Sequence, residues 1–210
     1  SASLGLALYP TNGSGTEELL RNADSAMYRA KSQGGGTFCF FEPGMTMLAT
    51  DRLALEADLG RAIRGDELTA CYQPIRSVAS GATIGVEALV RWQHPQRGLL
   101  PPERFLPLAE DSGLIHELGD WVLRRACADI GALSLDAAFT LAVNVSPGQI
   151  AHPDFAARVT QALTDTGFDP RRLQLEVTEA ALRAGAESAI ETLGRLQRLV
   201  GIRFSIDDFG

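Results

Sequence analysis

Four polar residues interrupt apolar, strand-like stretches of this 210-residue chain. They are Glu87 in IGVEALVR, Asn144 in LAVNVS, Glu176 in LQLEVTE and Asp207 in IRFSIDDFG. Asn144 lies 32 positions before Glu176, and Glu176 lies 31 positions before Asp207, about the ~30 residues of one strand-plus-helix unit. We therefore expect the four side chains to recur at the same height on successive parallel strands.

Residue parity places these four on one face of the predicted sheet. Side chains of a strand alternate between the two faces, and in LQLEVTE the residues Leu173, Leu175 and Val177 fall opposite Glu176. The other three stretches follow the same pattern. One face is expected to pack against helices, and the other to gather the polar groups at the carboxyl ends of the strands, where βα barrels build their sites.

Three carboxylates and an amide oxygen that converge in this way would repel one another without a cation between them. An all-oxygen donor set favours Mg²⁺ or Mn²⁺ over zinc. We predict that Asp207 completes one metal site and that Asp208 reaches a second ion. Two such ions can generate a hydroxide and clamp a phosphodiester for in-line attack. Arg91, on the same face as Glu87, can hold a phosphate through its planar fork.

Simpler explanations exist for each feature taken alone. A single Asn or Glu in a strand usually has a structural role, and adjacent aspartates more often form a turn or a helix cap. Four such residues in phase on successive strand–helix units favour a site. The tripeptide Asp208–Phe209–Gly210 also occurs in kinases, but no glycine-rich phosphate loop and no HRD segment precede it, so we reject a kinase.

The elements that must position these residues alternate between strand and helix after Gly65. Predicted strands cover 68–78, 82–92, 141–146, 173–179 and 202–210, and predicted helices cover 105–133, with a break near Ser112–Gly113, 153–164 and 187–200. This order predicts an α/β fold with a mostly parallel sheet, either doubly wound or closed as a barrel.

A smaller strand–helix–strand pattern comes first. Predicted strands over 3–9 and 37–41 flank a helix from Thr16 to Ser32, which is too little chain for a domain on its own. After a break at EPGMTML, a helix over 51–64 links the two parts. The predicted organisation is therefore a first part over 1–45, a linker over 46–66 and a second part over 67–210.

Charge, cysteines and termini narrow the class of protein. The formal net charge of -7 argues against binding of DNA or RNA, which requires a surface rich in basic residues. Cys39, Cys71 and Cys127 are odd in number and far apart, which favours reduced thiols and a cytoplasmic location. No apolar run approaches the ~18 residues that span a bilayer. Because the chain begins without Met inside a strand-like run, we expect it to be cut from a longer protein, whose sensor region can attach to a membrane.

The motifs together resemble a known family. Residues from about 52 to 210 are similar to the first part of an EAL domain, the cyclic di-GMP phosphodiesterase family, through YQPI (72–75), EALVRW (87–92), HPQRGLLPPERFLPLAEDSGLI (94–115), NVS (144–146), LEVTE (175–179) and DDFG (207–210). The first 45 or so residues resemble the C-terminal end of a GGDEF, or diguanylate cyclase, domain through LGLALYP and ADSAMYRAK.

The resemblance implies a TIM-like barrel whose first strand is antiparallel to the rest, here truncated after about the fifth strand. It implies hydrolysis of cyclic di-GMP to linear pGpG with Mg²⁺ or Mn²⁺. The metal ligands that it implies are Glu87, Asn144, Glu176, Asp207 and, for a second ion, Asp208. It also implies that Arg91 meets a ligand phosphate, that Gln73 and Pro74 lie by a guanine, that Leu89 lines the pocket, and that Glu179 is a supporting carboxylate.

Departures from the family pattern set two further expectations. The family continues past DDFG to a Lys that positions the attacking water, to further acidic residues and to three more strands, and its members commonly form homodimers. We therefore expect the isolated 210-residue piece to be poorly stable and inactive. The GGDEF signature is missing and Gly34–Gly36 replaces the usual Gly-Arg-Asn, so we assign no cyclase activity. The alternative to an enzyme is a non-catalytic module that binds cyclic di-GMP or a partner protein.

Overall fold

Strand β1 (Leu4–Leu6), helix α1 (Thr16–Ser32) and strand β2 (Phe38–Phe40) form a β–α–β element at the start of the chain. The computed structural model describes residues 2–32, 35–42, 44–178 and 186–207. The two strands pair in parallel, with Leu4 beside Phe38. The strand–helix–strand order predicted for this part is confirmed.

Helix α2 (Gly44–Arg64) is longer than predicted. The sequence suggested a break at EPGMTML and a helix start at residue 51, which is wrong by seven residues. The physical reason is tertiary burial, because Met45 packs in a small core with Ala26 and Phe41 and this outweighs the weak helix propensity of a glycine-containing segment. The chain divides into two compact units, Ser1–Asp58 and Leu59–Gly210, and the predicted three-part division stays a prediction.

The second unit is built on a mixed sheet whose described strands run in the order β3-β4-β6-β7-β8. Their bounds are β3 (Leu68–Arg76), β4 (Thr83–His94), β5 (Gly98–Leu100), β6 (Thr140–Val145), β7 (Leu173–Thr178) and β8 (Arg203–Asp207). Strands β4, β6, β7 and β8 are parallel, whereas β3 is antiparallel to β4. The antiparallel first strand implied by the family resemblance is thus confirmed. Strand β5, which pairs with β4, was not predicted because three residues are too few to show alternation.

Helices cover the strand connections. They are α3 (Leu106–Ser112), α4 (Ile115–Gly131), α5 (Pro147–Ala151), α6 (Phe155–Thr166) and α7 (Ala186–Val200). The predicted break near residue 112 is confirmed, because Gly113 takes a left-handed conformation with φ of 78° that ends α3. Helix α5 was not predicted, since five residues are too few to show helical periodicity. None of the helices in the described ranges is long and apolar enough to cross a bilayer.

The core lies between the sheet and these helices. On β7, Leu173, Leu175 and Val177 are at most 1% exposed, whereas the alternate residues Gln174 and Glu176 are partly exposed. Apolar burial on one face leaves the other face available for polar groups. The parity predicted from LQLEVTE is therefore confirmed.

Tyr72 ties the edge strand β3 to helix α4. Its hydroxyl donates a hydrogen bond to Asp129 Oδ2 at 2.8 Å, and Arg125 Nε donates to the same oxygen at 2.9 Å. Burial raises the pKa of Tyr72, and the hydrogen bond to the Asp129 carboxylate raises it further. The folded protein therefore holds the phenolic proton at a pH where the unfolded chain releases it.

We expect the free energy of unfolding of Tyr72→Phe to decrease less with rising alkaline pH than that of the wild type. A tyrosine whose pKa is higher in the folded than in the unfolded state stabilises the folded protein at pH values below the unfolded pKa of about 10. This stabilisation decreases as the pH rises above that pKa. Below pH 9 the variant should lose about 0.5–1.5 kcal/mol, the net contribution of one hydrogen bond. Urea unfolding from pH 8 to 11 would measure both effects. Tyr9→Phe is the control, because the Tyr9 side chain is 72% exposed; identical pH profiles for wild type and Tyr72→Phe would contradict the account.

Candidate active site

Glu87 and Asn144 meet on the face of the sheet that is not covered by the helices described above. Asn144 Nδ2 donates a hydrogen bond to Glu87 Oε1 at 2.6 Å. Glu87 lies on β4 next to the buried Ala88, and strand alternation turns the carboxylate to the opposite face. The sequence predicted this encounter, and the structure brings the two residues into direct contact.

The strand register corrects the prediction that the four polar residues lie at the same height. Asn144 pairs directly with Glu176, but Glu87 pairs with Ala142 and Asp207 pairs with Thr178. Glu87 is therefore two residues lower than Asn144, and Asp207 is two residues higher than Glu176. Successive strands in a tilted sheet are staggered, and an offset of two residues keeps every member on the same face. Equal sequence spacing cannot reveal this stagger.

Two residues that were not predicted to act in the site hold the carboxylate of Glu176. Ser205 Oγ donates to Glu176 Oε1 at 3.3 Å, and Gln174 Nε2 donates to the same oxygen at 3.4 Å. Gln174 Nε2 also donates to Ser205 Oγ at 2.9 Å. Both residues share the parity of their site neighbours on β7 and β8, which is the sequence signal that could have identified them. Their hydrogen bonds restrict the orientation of the Glu176 carboxylate.

Strand β3 contributes a row of side chains to the same face. Gln73 pairs directly with Glu87 in the antiparallel ladder, and directly opposed residues project to the same side. Leu89 and Arg91 also share the parity of Glu87, so three of the four predicted ligand-contacting residues lie on this face. The exposed thiol of Cys71, which pairs with Leu89, lies there too and was not predicted as part of the site.

Pro74 is not brought together with these residues. It pairs with Val86, so it lies on the opposite face from Gln73. Consecutive residues of a regular strand cannot face the same side, and the irregularity of this ladder comes only later, between Ile75 and Arg76.

The side chain of Arg91 is half-buried, and its Nη1 donates to the Val90 carbonyl oxygen at 2.9 Å.

Gly85 allows β4 and β6 to approach closely just below the site. Gly85 pairs with Thr140. A Cβ atom at position 85 would overlap Thr140 Oγ1 and would lie 2.7 Å from the Thr140 carbonyl oxygen. A glycine is thus required where the two strands that carry Glu87 and Asn144 converge.

The remaining predicted site residues lie wholly or partly outside the described residues. Asp207 is the last residue of β8, while its side chain, Asp208 and Glu179 lie outside the described residues. Within the described part of the chain, no three His, Cys, Asp or Glu residues form a group that could hold a metal ion. The carboxylates of Glu87 and Glu176 and the amide of Asn144 nevertheless fit the oxygen-donor chemistry of a hard divalent cation.

Curated relatives are similar to the whole of the chain. A protein of Caulobacter vibrioides described as an uncharacterized signaling protein is 47% identical over 209 residues, covering 100% of this chain and 26% of the relative. The bifunctional diguanylate cyclase/cyclic di-GMP phosphodiesterase MucR of Pseudomonas aeruginosa is 46% identical, covering 100% of this chain and 31% of the relative. The chain therefore spans between a quarter and a third of the length of these relatives.

Solved structures share the fold. A structure described as the PaMucR phosphodiesterase in complex with c-di-GMP matches with a TM-score of 0.69 and 41% identity, covering 75% of this chain and 64% of that chain. The EAL enzyme Bd1971, in its form bound to cAMP and cyclic-di-GMP, matches with a TM-score of 0.70 and 27% identity, covering 95% of this chain and 53% of that chain. The second unit thus has the mixed α/β fold of EAL domain structures.

A family model agrees with the geometry and with these similarities. The model described as the EAL domain matches residues 56–210, which include every strand of the second unit. The chain therefore belongs to the EAL domain family, whose relatives include proteins named as cyclic di-GMP phosphodiesterases.

Proposed function

We propose that the site is the part of a metal-dependent phosphodiesterase that hydrolyses cyclic di-GMP to linear pGpG in second-messenger signalling. The observation that carries this proposal is the contact between Asn144 and Glu87, with Glu176 beside Asn144 in the strand register. These are oxygen-bearing groups on one face of parallel strands in a chain of the EAL family. A structural role alone does not require a second carboxylate, that of Glu176, in register with Asn144.

The cofactor that suits this donor set is Mg²⁺ or Mn²⁺, with two ions in the complete site. We propose Glu87, Asn144, Glu176 and Asp207 as ligands of one ion and Asp208 as a ligand of the second. When bound, such ions supply Lewis acidity and a hydroxide at neutral pH. Asn144 directs its Nδ2 to Glu87, so its amide offers the carbonyl oxygen to the cation.

The other residues of this face orient the substrate. Arg91 is positioned on the strand of Glu87 to bind a phosphate oxygen through its guanidinium group. Gln73, opposite Glu87, and Leu89 are proposed to contact the guanine base and line the pocket. Gln174 and Ser205 hold the Glu176 carboxylate, and Glu179 is proposed to support the site as a further carboxylate.

We also infer that residues 1–45 are the C-terminal part of a GGDEF domain. The parallel pairing of β1 and β2 around α1 supports this inference. We propose a cytoplasmic location, which suits the free thiols of Cys39, Cys71 and Cys127.

We expect Arg91→Ala to weaken binding of cyclic di-GMP by about 10–100-fold, because a hydrogen bond to a charged group contributes about 1.5–3 kcal/mol. Calorimetric titration of the full-length protein with the nucleotide, in the presence of a chelator that prevents turnover, would measure the affinity. Arg76→Ala is the matched control, since Arg76 is an exposed residue near the end of β3. An unchanged affinity in Arg91→Ala would remove Arg91 from the site.

The main alternative is a non-catalytic module that binds cyclic di-GMP. A non-catalytic module would show the same loss of cyclic di-GMP binding in Arg91→Ala, but would form no pGpG in the presence of any metal ion. Formation of pGpG from cyclic di-GMP in Mn²⁺ would separate the enzyme from the binding module.

A further inference from the structure

We infer that Gln149 is a positioning residue for Asn144, and that it acts by fixing the carboxyl end of β6 against helix α4. The inference rests on the proposed function for its kinetic consequence, but its geometric basis is independent of that function. No contact between Gln149 and substrate or metal is implied.

The turn that follows Asn144 is closed by a reciprocal pair of hydrogen bonds. Ser146 Oγ accepts from the Gln149 backbone N–H at 3.4 Å, and Gln149 Oε1 accepts from the Ser146 backbone N–H at 2.9 Å. This is a capping box at the start of α5. Because Ser146 is only two residues beyond Asn144, the box sets the direction in which the strand leaves the site.

The capping box is anchored to the protein interior. Gln149 is 9% exposed, whereas glutamine residues mostly lie at the surface. It packs against Gly119 of α4, where an added Cβ would overlap the Gln149 amide nitrogen and lie 2.9 Å from its Cδ. Position 119 therefore accepts only glycine while Gln149 keeps this place.

A second contact fixes the helices around the same turn. Asp120, next to Gly119, accepts a hydrogen bond from Arg158 Nη1 of α6 at 2.6 Å. Asn144 and Gln149 line the same cavity of about 20 Å³ together with Gly119, Asp120 and Arg158. The strand end that carries Asn144 thus borders a cavity that α4 and α6 also line, and the Gln149 side chain connects the turn after this strand to α4 at Gly119.

The consequence concerns the 2.6 Å contact between Asn144 Nδ2 and Glu87 Oε1. Without the Gln149 oxygen, the Ser146 N–H loses its acceptor and the turn is free to relax. A shift of the strand end by about 1 Å would lengthen this contact beyond the range of a hydrogen bond. Loss of a group that orients a metal ligand typically lowers metal affinity or activity by roughly 10–100-fold.

The test compares Gln149→Met, Gln149→Glu and Asp169→Ala in the full-length protein. Methionine keeps the volume and removes the amide, whereas glutamate keeps an oxygen that can accept from Ser146. Asp169 is the matched control, because it accepts a hydrogen bond from the Arg171 backbone N–H at 3.0 Å and caps the turn that precedes β7, at the amino-terminal end of that strand and not at the carboxyl end where Asn144 lies.

Crystal structures, Mn²⁺ titration and kcat and KM for cyclic di-GMP are the three measurements. In Gln149→Met we expect the distance from Asn144 Nδ2 to Glu87 Oε1 to exceed hydrogen-bonding range, and Mn²⁺ affinity and kcat to fall by roughly 10-fold or more with KM little changed. Gln149→Glu should recover most of both losses. Asp169→Ala should lower the unfolding temperature without changing the distance, the affinity or kcat.

Two outcomes separate this inference from the proposed function. If the contact between Asn144 and Glu87 is intact in Gln149→Met, or if metal affinity and kcat match those of the wild type, the positioning role of Gln149 is overturned. If the contact is broken in the variant but the wild type neither binds Mn²⁺ nor hydrolyses cyclic di-GMP, the positioning role stands and the proposed function fails.

Discussion

Glu87→Gln is expected to lower turnover of cyclic di-GMP by at least about 10²-fold, because loss of a group that merely supports a metal ligand already costs 10–100-fold. Glutamine has the same shape as glutamate and retains an oxygen that can accept the hydrogen bond from Asn144. The variant therefore removes the negative charge while it preserves the contact between β4 and β6. Turnover is measured as pGpG released per minute by the full-length protein in Mn²⁺.

The matched control for this variant is Glu117→Gln. Glu117 forms an exposed ion pair with Arg64 at 3.4 Å, and exposed pairs contribute only about 0–1 kcal/mol to stability. The control undergoes the same chemical change away from the sheet, and its turnover should equal that of the wild type. Full activity in Glu87→Gln, with an unchanged unfolding temperature, would exclude Glu87 as a metal ligand.

Trp92→Ala is expected to have the largest effect on stability, a loss of about 3–5 kcal/mol. The Trp92 side chain is fully buried, and its ring meets Phe105 edge-on at a centroid distance of 5.7 Å. Its Nε1 donates to Glu67 Oε2 at 3.0 Å. Truncation leaves a cavity and an unpaired carboxylate where β3, β4 and β5 meet, one residue from Arg91.

Hydrogen exchange of the full-length protein would measure this loss locally. A cost of about 3–5 kcal/mol corresponds to exchange of β3–β5 amides that is faster by roughly 10²–10⁴-fold, up to the limit set by global unfolding. Trp121→Ala is the control, since Trp121 is the second tryptophan of the chain and is only half-buried on α4. If amide exchange in β3–β5 were accelerated equally in the two variants, the cluster around Trp92 would contribute no more to local stability than Trp121 does.

Residue parity and the alternation of strands and helices along the chain could be predicted from the sequence, because they follow from short-range patterns. The alternation around Glu176 placed its carboxylate opposite Leu175 and Val177, and the structure agrees. The same reasoning brought Asn144 to Glu87, which the 2.6 Å hydrogen bond confirms. A strand residue can lie on only one of two faces, and the face that carries the apolar residues must be the buried one. The face of each polar residue therefore follows from its position relative to the apolar ones.

Features that depend on three-dimensional packing could not be predicted in this way. The stagger of Glu87 and Asp207 depends on the relative tilt of neighbouring strands, which no local pattern contains. The early start of α2 at Gly44 depends on the burial of Met45 against Ala26 and Phe41. The anchoring of Gln149 depends on the absence of a side chain at Gly119, thirty positions away in the sequence.

Conversion of cyclic di-GMP by the full-length protein in Mn²⁺, with and without a chelator, would decide whether this site is catalytic. We expect that linear pGpG forms in Mn²⁺, that its formation stops when the metal is removed, and that Glu87→Gln forms almost none. Tight binding of cyclic di-GMP without pGpG in either Mn²⁺ or Mg²⁺ would contradict this expectation, and would identify the carboxylates of this sheet as part of a receptor.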